Sequence, residues 1–505
     1  MHIKENVCKN VHAIYALIFI LFFISILLVP ISRINHADKS MLEKRNLAKW
    51  PILIVNGKLN EKYGTHFENW LGDRFRGRYK IISAYNKVNN FLLGRLENSK
   101  AMLGNDGFFF YKENNSIANF QNKYLFSKNE LETIRDNILL RRKLLEKHGI
   151  KYYVMIAPDK NRVYGEKYPD YIFKYHPQGR AEQLVSYLKK YGIEVIYPLH
   201  ELNYGKQTGI NYYRYDTHWN TFGAFIGYDS IMKMITNDIP TLRKLSISDF
   251  DVVKMVEVSG DLLPMLNLTI KDIDNTNHSN LKLQKKLKYN YKYITNNGTK
   301  GVETNNTNPL NQLKLCMLRD SFTSAMEPYF SESFSHSVYI WDQNFNAHYE
   351  KILQANPDIV IQERVERALP NLKINTPLIG KEITSFSVRE FHNSNMKLKF
   401  YVDQKENREF IARFRGWAFL HPKKTRNQKT YLLVEDKTGK QKVFSTGTTI
   451  RKDVGKHFKE DLCSYSGFDV LVDKMDLFQG KNKFKLIVVN DNEISISPAF
   501  CEFTL

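Results

Sequence analysis

The longest apolar pattern in the chain occupies residues 13–31, where Leu, Ile, Phe, Val and Ala follow one another almost without interruption and no charged residue occurs. At ~1.5 Å per residue, a helix of this length approaches the ~30 Å thickness of bilayer hydrocarbon. A short basic tail precedes the run, and no small-x-small cleavage site follows it. The pattern predicts an uncleaved anchor at 11–32 in the inner or cytoplasmic membrane, a cytoplasmic tail at 1–10, and a body that faces the periplasm or the cell exterior.

After a stalk and entry segment at 33–75, helical and strand-like patterns alternate along the chain. Ser127 and Glu130 have the spacing of a capping box, and the apolar residues that follow recur at helical intervals as far as Gly149. The alternation predicts an α/β domain at 76–382, with a parallel sheet flanked by helices. The other predicted helices are 62–71, 180–191, 220–235 and 322–329, and the predicted strands are 152–157, 193–197, 313–318, 337–341 and 358–362.

One stretch inside this domain lacks the pattern of a packed element. Residues 271–312 are crowded with Asn, Lys and Thr and contain few apolar side chains. Such a composition buries little apolar surface to offset the entropy that is lost on ordering. We therefore expect a polar, mobile insertion near the rim of the functional site.

From residue 383 onwards, short β-rich runs separated by turns replace the alternating pattern. They predict a β-sandwich at 383–505. Carbohydrate binding is one function for such a module, with Trp417 and Tyr465 as candidate stacking surfaces, and burial in the core is the alternative for both side chains. The seven runs are 397–402, 410–419, 430–435, 441–445, 468–472, 483–489 and 499–505.

Two short polar motifs carry the residues of a charge-oriented nucleophile. Ser321 follows the predicted strand 313–318, and His218 can take the proton of its hydroxyl because imidazole has a pKa of ~6.5. Asp216, two residues earlier, can hold the other ring nitrogen. Each motif alone has a simpler explanation, a surface turn for Asp-x-His and a helix N-cap for Asp-Ser. Together they make acyl transfer the leading hypothesis.

Seven segments of the chain resemble, in the same order, segments of the alginate O-acetyltransferase group of SGNH-hydrolase-like proteins. They are 43–51, 67–78, 104–111, 157–161, 216–219, 319–322 and 365–367. The resemblance implies an SGNH-like sheet and a catalytic triad of Asp216, His218 and Ser321. The histidine motif precedes the serine, as in this family and in contrast to ordinary SGNH esterases.

The groups that stabilise an oxyanion are less completely defined. The glycine and asparagine blocks that complete the oxyanion hole of ordinary SGNH esterases have no counterpart that we can identify, so the Ser321 N–H is the first expected donor and the second is open. For Asn161, which follows the predicted strand 152–157, a turn-forming role is the alternative. The candidates for oxyanion or substrate binding are Asn161, Trp219, Asn220, Arg319, Tyr329 and Arg367.

Charge and composition narrow the class of partner. The 505 residues include 74 basic and 53 acidic ones, and the net charge of +21 implies an anionic partner or surface. Nucleic-acid-binding motifs are missing and the lysines are spread along the chain, so an acidic polysaccharide or an anionic membrane surface is expected. No Cys/His cluster has metal-ligand spacing, and neither a metal nor a cofactor is expected. Pairing of Cys463 with Cys501 is left open.

The favoured function is transfer of acetyl groups, through an acyl-serine intermediate, to hydroxyls of an extracytoplasmic polysaccharide. The resemblance implies that a membrane-bound O-acyltransferase supplies the acetyl donor. One alternative is an esterase that passes the acyl group to water from the same triad. The other is a non-catalytic glycan-binding component of a polysaccharide export complex. The sequence does not specify the polysaccharide, the acetylated hydroxyl or the oligomeric state.

Overall fold

A computed structural model describes residues 39–40, 45–55, 57–74, 81, 83–85, 88, 96–257, 259–273, 279–297, 301–342, 344–387, 390–421 and 428–505. The predicted anchor at 11–32 and the tail at 1–10 lie outside the described residues. Among the helices that the described residues form, none combines the length and the apolar character needed to cross a bilayer.

Among the residues before 375 that the structure describes, ten longer strands and ten α-helices have defined bounds. The strands are β1 (Ala101–Leu103), β2 (Phe109–Tyr111), β3 (Lys151–Ala157), β4 (Phe250–Val256), β5 (Ser279–Lys285), β6 (Tyr291–Asn296), β7 (Val302–Asn306), β8 (Asn311–Leu318), β9 (Phe334–Ile340) and β10 (Ile359–Val365). The helices are α1 (Tyr63–Arg74), α2 (Ser116–Phe120), α3 (Lys128–Glu146), α4 (Lys160–Val163), α5 (Arg180–Lys189), α6 (Leu199–Gly205), α7 (Thr221–Asp238), α8 (Leu262–Met265), α9 (Glu327–Ser333) and α10 (Phe345–Gln354). Two-residue strands pair at 39–46 and at 54–59.

A six-stranded sheet with the order β6-β7-β9-β8-β10-β3 is the centre of the α/β domain. Strands β9, β8, β10 and β3 are parallel, whereas β7 and β6 extend the sheet in antiparallel fashion. Side chains of β3 alternate between two apolar clusters, with Met155 on one face and Val154 and Ile156 on the other. Both faces are therefore covered, as a mostly parallel sheet requires. The predicted α/β class is confirmed.

Helix α3 forms as its sequence pattern predicts. The Glu130 N–H donates to the Ser127 hydroxyl (3.3 Å), and the Glu130 carboxylate accepts from the Ser127 N–H (2.9 Å), which completes a capping box. Gly149 follows the helix with a φ of +73°, a conformation that glycine adopts without strain. The buried face of α3 then packs against β3 through Ile134, Ile138 and Leu145.

Two predicted elements differ from the observed ones. The strand expected at 193–197 is a single bridge, in which Ile196 exchanges hydrogen bonds with β3, because Pro198 begins the turn into α6. The helix expected at 322–329 is a 3₁₀ turn, Ser321–Ala325, followed by α9. Pro328 has no N–H to continue a helix that arrives from the 3₁₀ turn, so α9 begins separately at Glu327.

The described residues of 271–312 supply β5, β6 and β7, so this polar segment is not the loop that its composition predicts. Leu281 and Leu283 of β5 are buried against the domain, so a few apolar residues suffice for packing. Asn306 of β7 donates its amide to the carbonyls of Ser331 and Glu332, both at 3.1 Å. A prediction from composition alone does not take into account that asparagine side chains can satisfy their hydrogen bonds inside the fold.

The C-terminal region is rich in strands, and all seven predicted runs contain one. Its strands are β11 (Leu378–Ile379), β12 (His392–Asn393), β13 (Lys397–Asn407), β14 (Ile411–His421), β15 (Lys429–Asp436), β16 (Gln441–Ser445), β17 (Gly447–Thr449), β18 (Gly467–Asp473), β19 (Lys481–Asn490), β20 (Glu493–Ile496) and β21 (Cys501–Thr504). One sheet has the order β11-β18-β14-β13 with β17 beside β18, and the other β12-β20-β19-β15-β16 with β21 beside β19. Phe414, Val470 and Phe484 belong to one apolar cluster that both sheets share. No disulfide joins Cys463 to Cys501, both of which lie in the described part of the chain.

The C-terminal region is attached to the α/β domain by a buried carboxylate. Asp473, at the end of β18, accepts from the Tyr349 hydroxyl (2.6 Å) and the Met475 N–H (2.9 Å). His148 Nε2 lies 2.8 Å from the same carboxylate. Ile411 and Leu471 meanwhile enter the apolar cluster of α3 and α10. The two regions therefore share polar and apolar contacts.

Asp473→Ala should lower the free energy of unfolding by ~2–4 kcal/mol, because it leaves buried donors without their acceptor. Chemical denaturation with urea measures this change. Asp461→Ala, at an exposed position of the same region, is the matched control and should change the value by less than ~0.5 kcal/mol. Equal small effects of both variants would contradict the anchoring role of Asp473.

Candidate active site

Three side chains from the two sequence motifs form a continuous hydrogen-bonded chain. His218 Nε2 lies 2.7 Å from Ser321 Oγ, and His218 Nδ1 lies 2.6 Å from Asp216 Oδ1. Ser321 follows β8, and Asp216 and His218 lie in the loop before α7. The carboxyl ends of parallel strands are where open α/β sheets bind ligands. The distances are those that a serine, its base and an orienting carboxylate need.

The turn that presents Ser321 is held by two acidic residues. Asp320 accepts from the Phe322 N–H (2.9 Å) and the Val365 N–H (2.8 Å), which fixes the start of the 3₁₀ turn against β10. Glu363 accepts from the Asp320 N–H (3.0 Å) and the Thr323 hydroxyl (2.9 Å). Burial, together with the nearby Asp320 carboxylate, raises the pKa of Glu363 well above its usual value.

The loop that carries Asp216 is held from both sides by buried charges. The Lys160 ammonium donates to the carbonyls of Tyr213 (3.1 Å), Arg214 (3.1 Å) and Asp216 (2.7 Å). Glu257 accepts from the N–H groups of Arg214 (2.8 Å) and Tyr215 (2.7 Å) in the same loop. Burial lowers the pKa of Lys160 to about 8, although neighbouring carboxylates act in the opposite direction. Only 4% of Lys160 and 6% of Glu257 is exposed, so both are internal supports of the loop.

A second aspartate supports the triad carboxylate. Asp216 Oδ2 accepts from the Asp261 N–H (3.0 Å), and the Asp261 carboxylate accepts from the N–H and the hydroxyl of Thr217, both at 2.8 Å. Burial raises the pKa of Asp216, but the hydrogen bonds and charge of His218 outweigh burial and bring the pKa down to about 2. The carboxylate therefore stays ionised beside the imidazole.

The same residues are close enough to meet at one cation. Ligand atoms of Asp216, His218 and Asp261 lie within 4.8 Å of one another. These atoms already have partners, however, in Ser321, in Thr217 and in one another. The hydrogen-bonded arrangement fits proton transfer from the serine better than it fits a metal centre.

Four of the candidate binding residues use their polar atoms inside the protein. The Trp219 indole N–H donates to the Phe322 carbonyl (2.9 Å), and the Tyr329 hydroxyl donates to the Thr221 carbonyl (2.8 Å). Asn220 caps α7 by accepting from the Gly223 N–H. Arg319 pairs with Glu327 at 2.6 Å. All four side chains are buried, so the structure places them in the support of the site and not on its surface.

Asn161 and Arg367 line a narrow crevice beside the triad, together with Lys160 and Thr217. The Asn161 amide donates to the Ser116 carbonyl and hydroxyl, both at 3.2 Å, so its hydrogens are directed away from an oxyanion. Arg367 pairs with Asp159 and lies over the rings of Phe322 (5.6 Å) and Tyr111 (5.4 Å). Among the candidate binding residues, Arg367 is therefore the one whose position best fits a contact with substrate.

Sequence reasoning missed Lys160, Glu257, Asp261 and Glu363. Lys160 lies in the 157–161 motif, which contributed to the family resemblance without a role for its lysine. Glu257 and Asp261 follow the triad loop at a distance and have no motif of their own. A Cβ at Gly260 would lie 2.0 Å from the Tyr215 carbonyl oxygen, so this close approach of the two segments needs glycine.

The parallel sheet and the Ser321–His218–Asp216 chain are the fold and the site expected from the SGNH-hydrolase-like resemblance of the sequence motifs. Residues 101–286 match the family model of the SGNH hydrolase-like domain of the acetyltransferase AlgX. The match confirms the family resemblance that the sequence motifs predict. It covers Asp216 and His218 and ends before Ser321.

Several solved structures are similar to the chain at low sequence identity. PatB1 from Bacillus cereus is 19% identical, with a TM-score of 0.41, and the alignment covers 54% of this chain and 96% of that one. A DHHW family protein from Eubacterium siraeum is 13% identical, with a TM-score of 0.39 and coverages of 56% and 97%. The O-acetyltransferase domain of Pseudomonas putida AlgJ is 16% identical, with a TM-score of 0.35 and coverages of 57% and 96%. No curated protein gives a significant match.

Asp216→Asn should reduce turnover of a small acetyl ester by ~10²–10⁴, because an amide can hold the imidazole in the wrong tautomer. It should also lower the free energy of unfolding by ~1–3 kcal/mol at neutral pH, since the folded pKa of about 2 lies below the unfolded value of ~3.9. This stabilisation is present above the unfolded pKa and is lost as the pH falls through about 2. The stability difference between the two proteins should therefore shrink on acidification in urea denaturation.

Asp251→Asn, at an exposed aspartate, is the control for this change and should show neither effect. Full turnover in a folded Asp216→Asn protein would refute the orienting role. A stability difference that is the same at every pH would refute the ionised state that the hydrogen bonds imply.

Lys160→Met keeps most of the side-chain volume but removes the donor to three carbonyls. We expect a stability loss of ~1–3 kcal/mol from the unsatisfied carbonyls. We also expect ~10²-fold lower ester turnover, the scale on which a misplacement of about 1 Å acts. Turnover is measured well below the melting temperature, with Lys190→Met at an exposed position as the control. Unchanged turnover in a destabilised variant would reduce Lys160 to a purely structural residue.

Proposed function

We propose that the protein is a polysaccharide O-acetyltransferase that works through an acetyl-Ser321 intermediate. The observation that carries the proposal is the Ser321–His218–Asp216 hydrogen-bonded chain in a domain whose family model is that of an acetyltransferase. The alternative of a non-catalytic glycan-binding protein is disfavoured, because such a protein has no need of an aligned nucleophile and base.

In the first half of the reaction, Ser321 Oγ forms a bond to the acetyl carbonyl carbon of the donor. His218 Nε2 takes the serine proton, and Asp216 holds the other ring nitrogen and stabilises the imidazolium. The tetrahedral intermediate then expels the donor's leaving group, which receives the proton from His218. The Ser321 N–H, in the first turn of a 3₁₀ helix where N–H groups have no internal acceptor, is the proposed first oxyanion donor.

In the second half, a sugar hydroxyl replaces the leaving group. His218 takes the hydroxyl proton as the oxygen attacks the acetyl-serine carbonyl, and the proton returns to Ser321 Oγ when the ester bond to serine breaks. Arg367 is the proposed contact for donor or acceptor, because it lines the crevice beside the triad. The second oxyanion donor is not assigned to a residue.

The cellular setting belongs to the same proposal. The apolar run at 13–31 would anchor the protein in the inner or cytoplasmic membrane, with the catalytic body in the periplasm or at the cell exterior. A membrane-bound O-acyltransferase would deliver the acetyl donor, and the acceptor would be an acidic polysaccharide. The region 383–505 would bind the same polymer as a β-sandwich module.

Hydrolysis is the second candidate reaction, and one feature favours it. The side chains of His218 and Asp216 are 26% and 23% exposed, so water can reach the acetyl-enzyme. An enzyme that transfers acetyl groups must bring the acceptor hydroxyl to this position faster than water attacks.

Ser321→Ala should lower acetyl-ester turnover by at least ~10³, because the alternative path lacks the nucleophile. With an acetyl donor and a glycan acceptor, the parent protein should give acetylated sugar, which mass spectrometry detects, and the serine peptide should carry a transient acetyl group. Ser335→Ala, at a serine outside the triad, is the control. If the parent protein releases only acetate in the presence of every acceptor tested, the protein is an esterase and the transferase proposal is wrong.

A further inference from the structure

Residues 50–55 and 57–60, which we call the entry hairpin, form a short two-stranded structure that precedes α1. Ile54 is paired with Leu59 across its turn. The Asn60 N–H donates to the Leu53 carbonyl (2.8 Å), so the pairing continues beyond the two-residue strands. The hairpin therefore has a defined register, and the direction of its side chains follows from it.

The large apolar side chains of the entry hairpin are exposed on both of its faces. Ile54 and Leu59 are cross-strand partners on one face and are 61% and 72% exposed. Leu53 and Val55 alternate to the other face and are 49% and 46% exposed. A contiguous apolar surface of this kind marks an interaction site. The exposed apolar residues are Trp50, Ile52, Leu53, Ile54, Val55 and Leu59.

The base of the entry hairpin is attached to α1. The Trp50 ring lies 4.5 Å from the Trp70 ring and 5.9 Å from the Phe67 ring, both in edge-to-face contact. The Ala48 N–H donates to the Asp73 carboxylate (2.8 Å). Trp50 nevertheless remains 58% exposed. The hairpin is thus held in place by α1, while its apolar side chains stay in contact with solvent.

The charges next to this apolar surface are mainly positive. Between residues 45 and 62 the chain carries four basic residues and one acidic residue, Glu61. Lys49 at the base of the hairpin and Lys58 at its turn are both exposed, as is Lys62 beside Glu61. Apolar and aromatic side chains surrounded by basic ones are complementary to the interface of an anionic bilayer.

The entry hairpin also lies close in sequence to the apolar run 13–31, the proposed anchor. Lys39 is paired with Asn46, so the loop between them does not lengthen the path along the chain. The remaining chain from residue 32 to Trp50 can span at most ~45 Å when it is extended. A bilayer that holds the run would keep the hairpin within that distance of its surface, where even a weak affinity is effective.

A bilayer suits this hairpin better than a protein groove does. A partner protein or a second copy of the chain that packs on one face leaves the other face in water, whereas the headgroup region surrounds whatever inserts into it. Backbone N–H and C=O groups at the edges of a hairpin have no partners in hydrocarbon. Insertion is therefore limited to the boundary between headgroups and acyl chains, ~5–10 Å deep.

From the two-sided apolar surface, the basic residues beside it and the short connection to the run 13–31, we infer that the entry hairpin is a second membrane contact. It inserts into the interface of an anionic bilayer and holds the entry segment against the membrane. The membrane setting rests on the proposed function, whereas contact of the hairpin with lipid can be measured without any acetyl transfer.

The test uses the full chain, reconstituted as one molecule per lipid nanodisc, with the fluorophore nitrobenzoxadiazole on a single cysteine. Leu59→Cys carries the fluorophore in a background of Cys8→Ser and Cys501→Ser, since the other two cysteines are buried. The matched control is Lys437→Cys, at the exposed and polar turn between β15 and β16. The nanodiscs contain phosphatidylcholine with or without phosphatidylglycerol, and nitroxide-labelled lipids serve as quenchers.

Nitroxide lipids should quench the fluorophore at position 59 at least ~2-fold more strongly than the one at 437, because only the former would lie ~5–10 Å deep in the interface. Its emission should also shift to shorter wavelength. A nitroxide near the headgroup should quench more than one at the end of the acyl chain. Small-ester turnover should stay within ~2-fold of the parent value, since the triad is unchanged.

Two further substitutions, each made with the fluorophore at position 59, separate the apolar from the electrostatic contribution. Ile54→Asp should reduce quenching to the level of the 437 control without lowering the melting temperature, because the position is exposed. K49E/K58E should weaken quenching in anionic nanodiscs and leave it unchanged in neutral ones. The control K437E/K440E, at exposed lysines, should have no effect in either lipid.

Equal quenching at positions 59 and 437 would overturn the inference. A shift to shorter wavelength at position 59 without quenching by lipid nitroxides would also overturn it, because a protein surface would then cover the hairpin. Failure of the proposed anchor is a separate result, in which alkaline extraction removes the full chain from vesicles. In that case the hairpin contact is supported if Ile54→Asp abolishes co-flotation with anionic vesicles and refuted if it does not.

Discussion

The position of His218 relative to Ser321 depends on a loop whose backbone is held between two buried charges. Lys160 donates hydrogen bonds to three carbonyl oxygens of this loop, and Glu257 accepts hydrogen bonds from two of its N–H groups. Each charge would be costly to bury without these partners. The loop, the 157–161 turn and the segment around residue 257 can therefore reach their final positions only together. The triad geometry is a consequence of this mutual satisfaction.

The nucleophile is held in a different way. Ser321 follows a central strand, and its turn is tied to β10 through the side chains of Asp320 and Glu363. A central parallel strand is fixed by hydrogen bonds on both edges and apolar packing on both faces. The sheet therefore positions Ser321, whereas a loop held by buried charged groups positions His218 and Asp216. Substitutions at Lys160 or Glu257 should act on the base and leave the serine turn in place.

The sequence allowed the sheet and the triad motifs to be predicted for the same physical reason. The last four residues of β8 are buried, so they form a continuous apolar run in the sequence, and the polar motif that follows stands out. The direction of a side chain could not be predicted from such a pattern. Trp219 and Asn220 adjoin His218 in sequence, yet their polar atoms bond inside the fold. Glu257 and Asp261 act through backbone contacts that no residue pattern encodes. The polar segment 271–312 forms strands because a few buried leucines pack against the domain and amide side chains bond inside the fold, neither of which its composition indicates.

The same segment shows why net charge is a poor guide to a binding site. The excess of lysine is spread over the chain, and at physiological salt a charge more than ~8–10 Å from a ligand contributes little to its binding. What matters is a local group of cations without acidic neighbours, placed where a ligand must lie. The cleft beside the triad loop does not meet this condition, because Asp216 and Glu257 line it together with a single lysine, Lys282. The lysines of 279–297 are moreover divided between β5, which pairs with β4, β6, which pairs with β7, and the connection between them, so their number along the chain does not translate into one cationic surface.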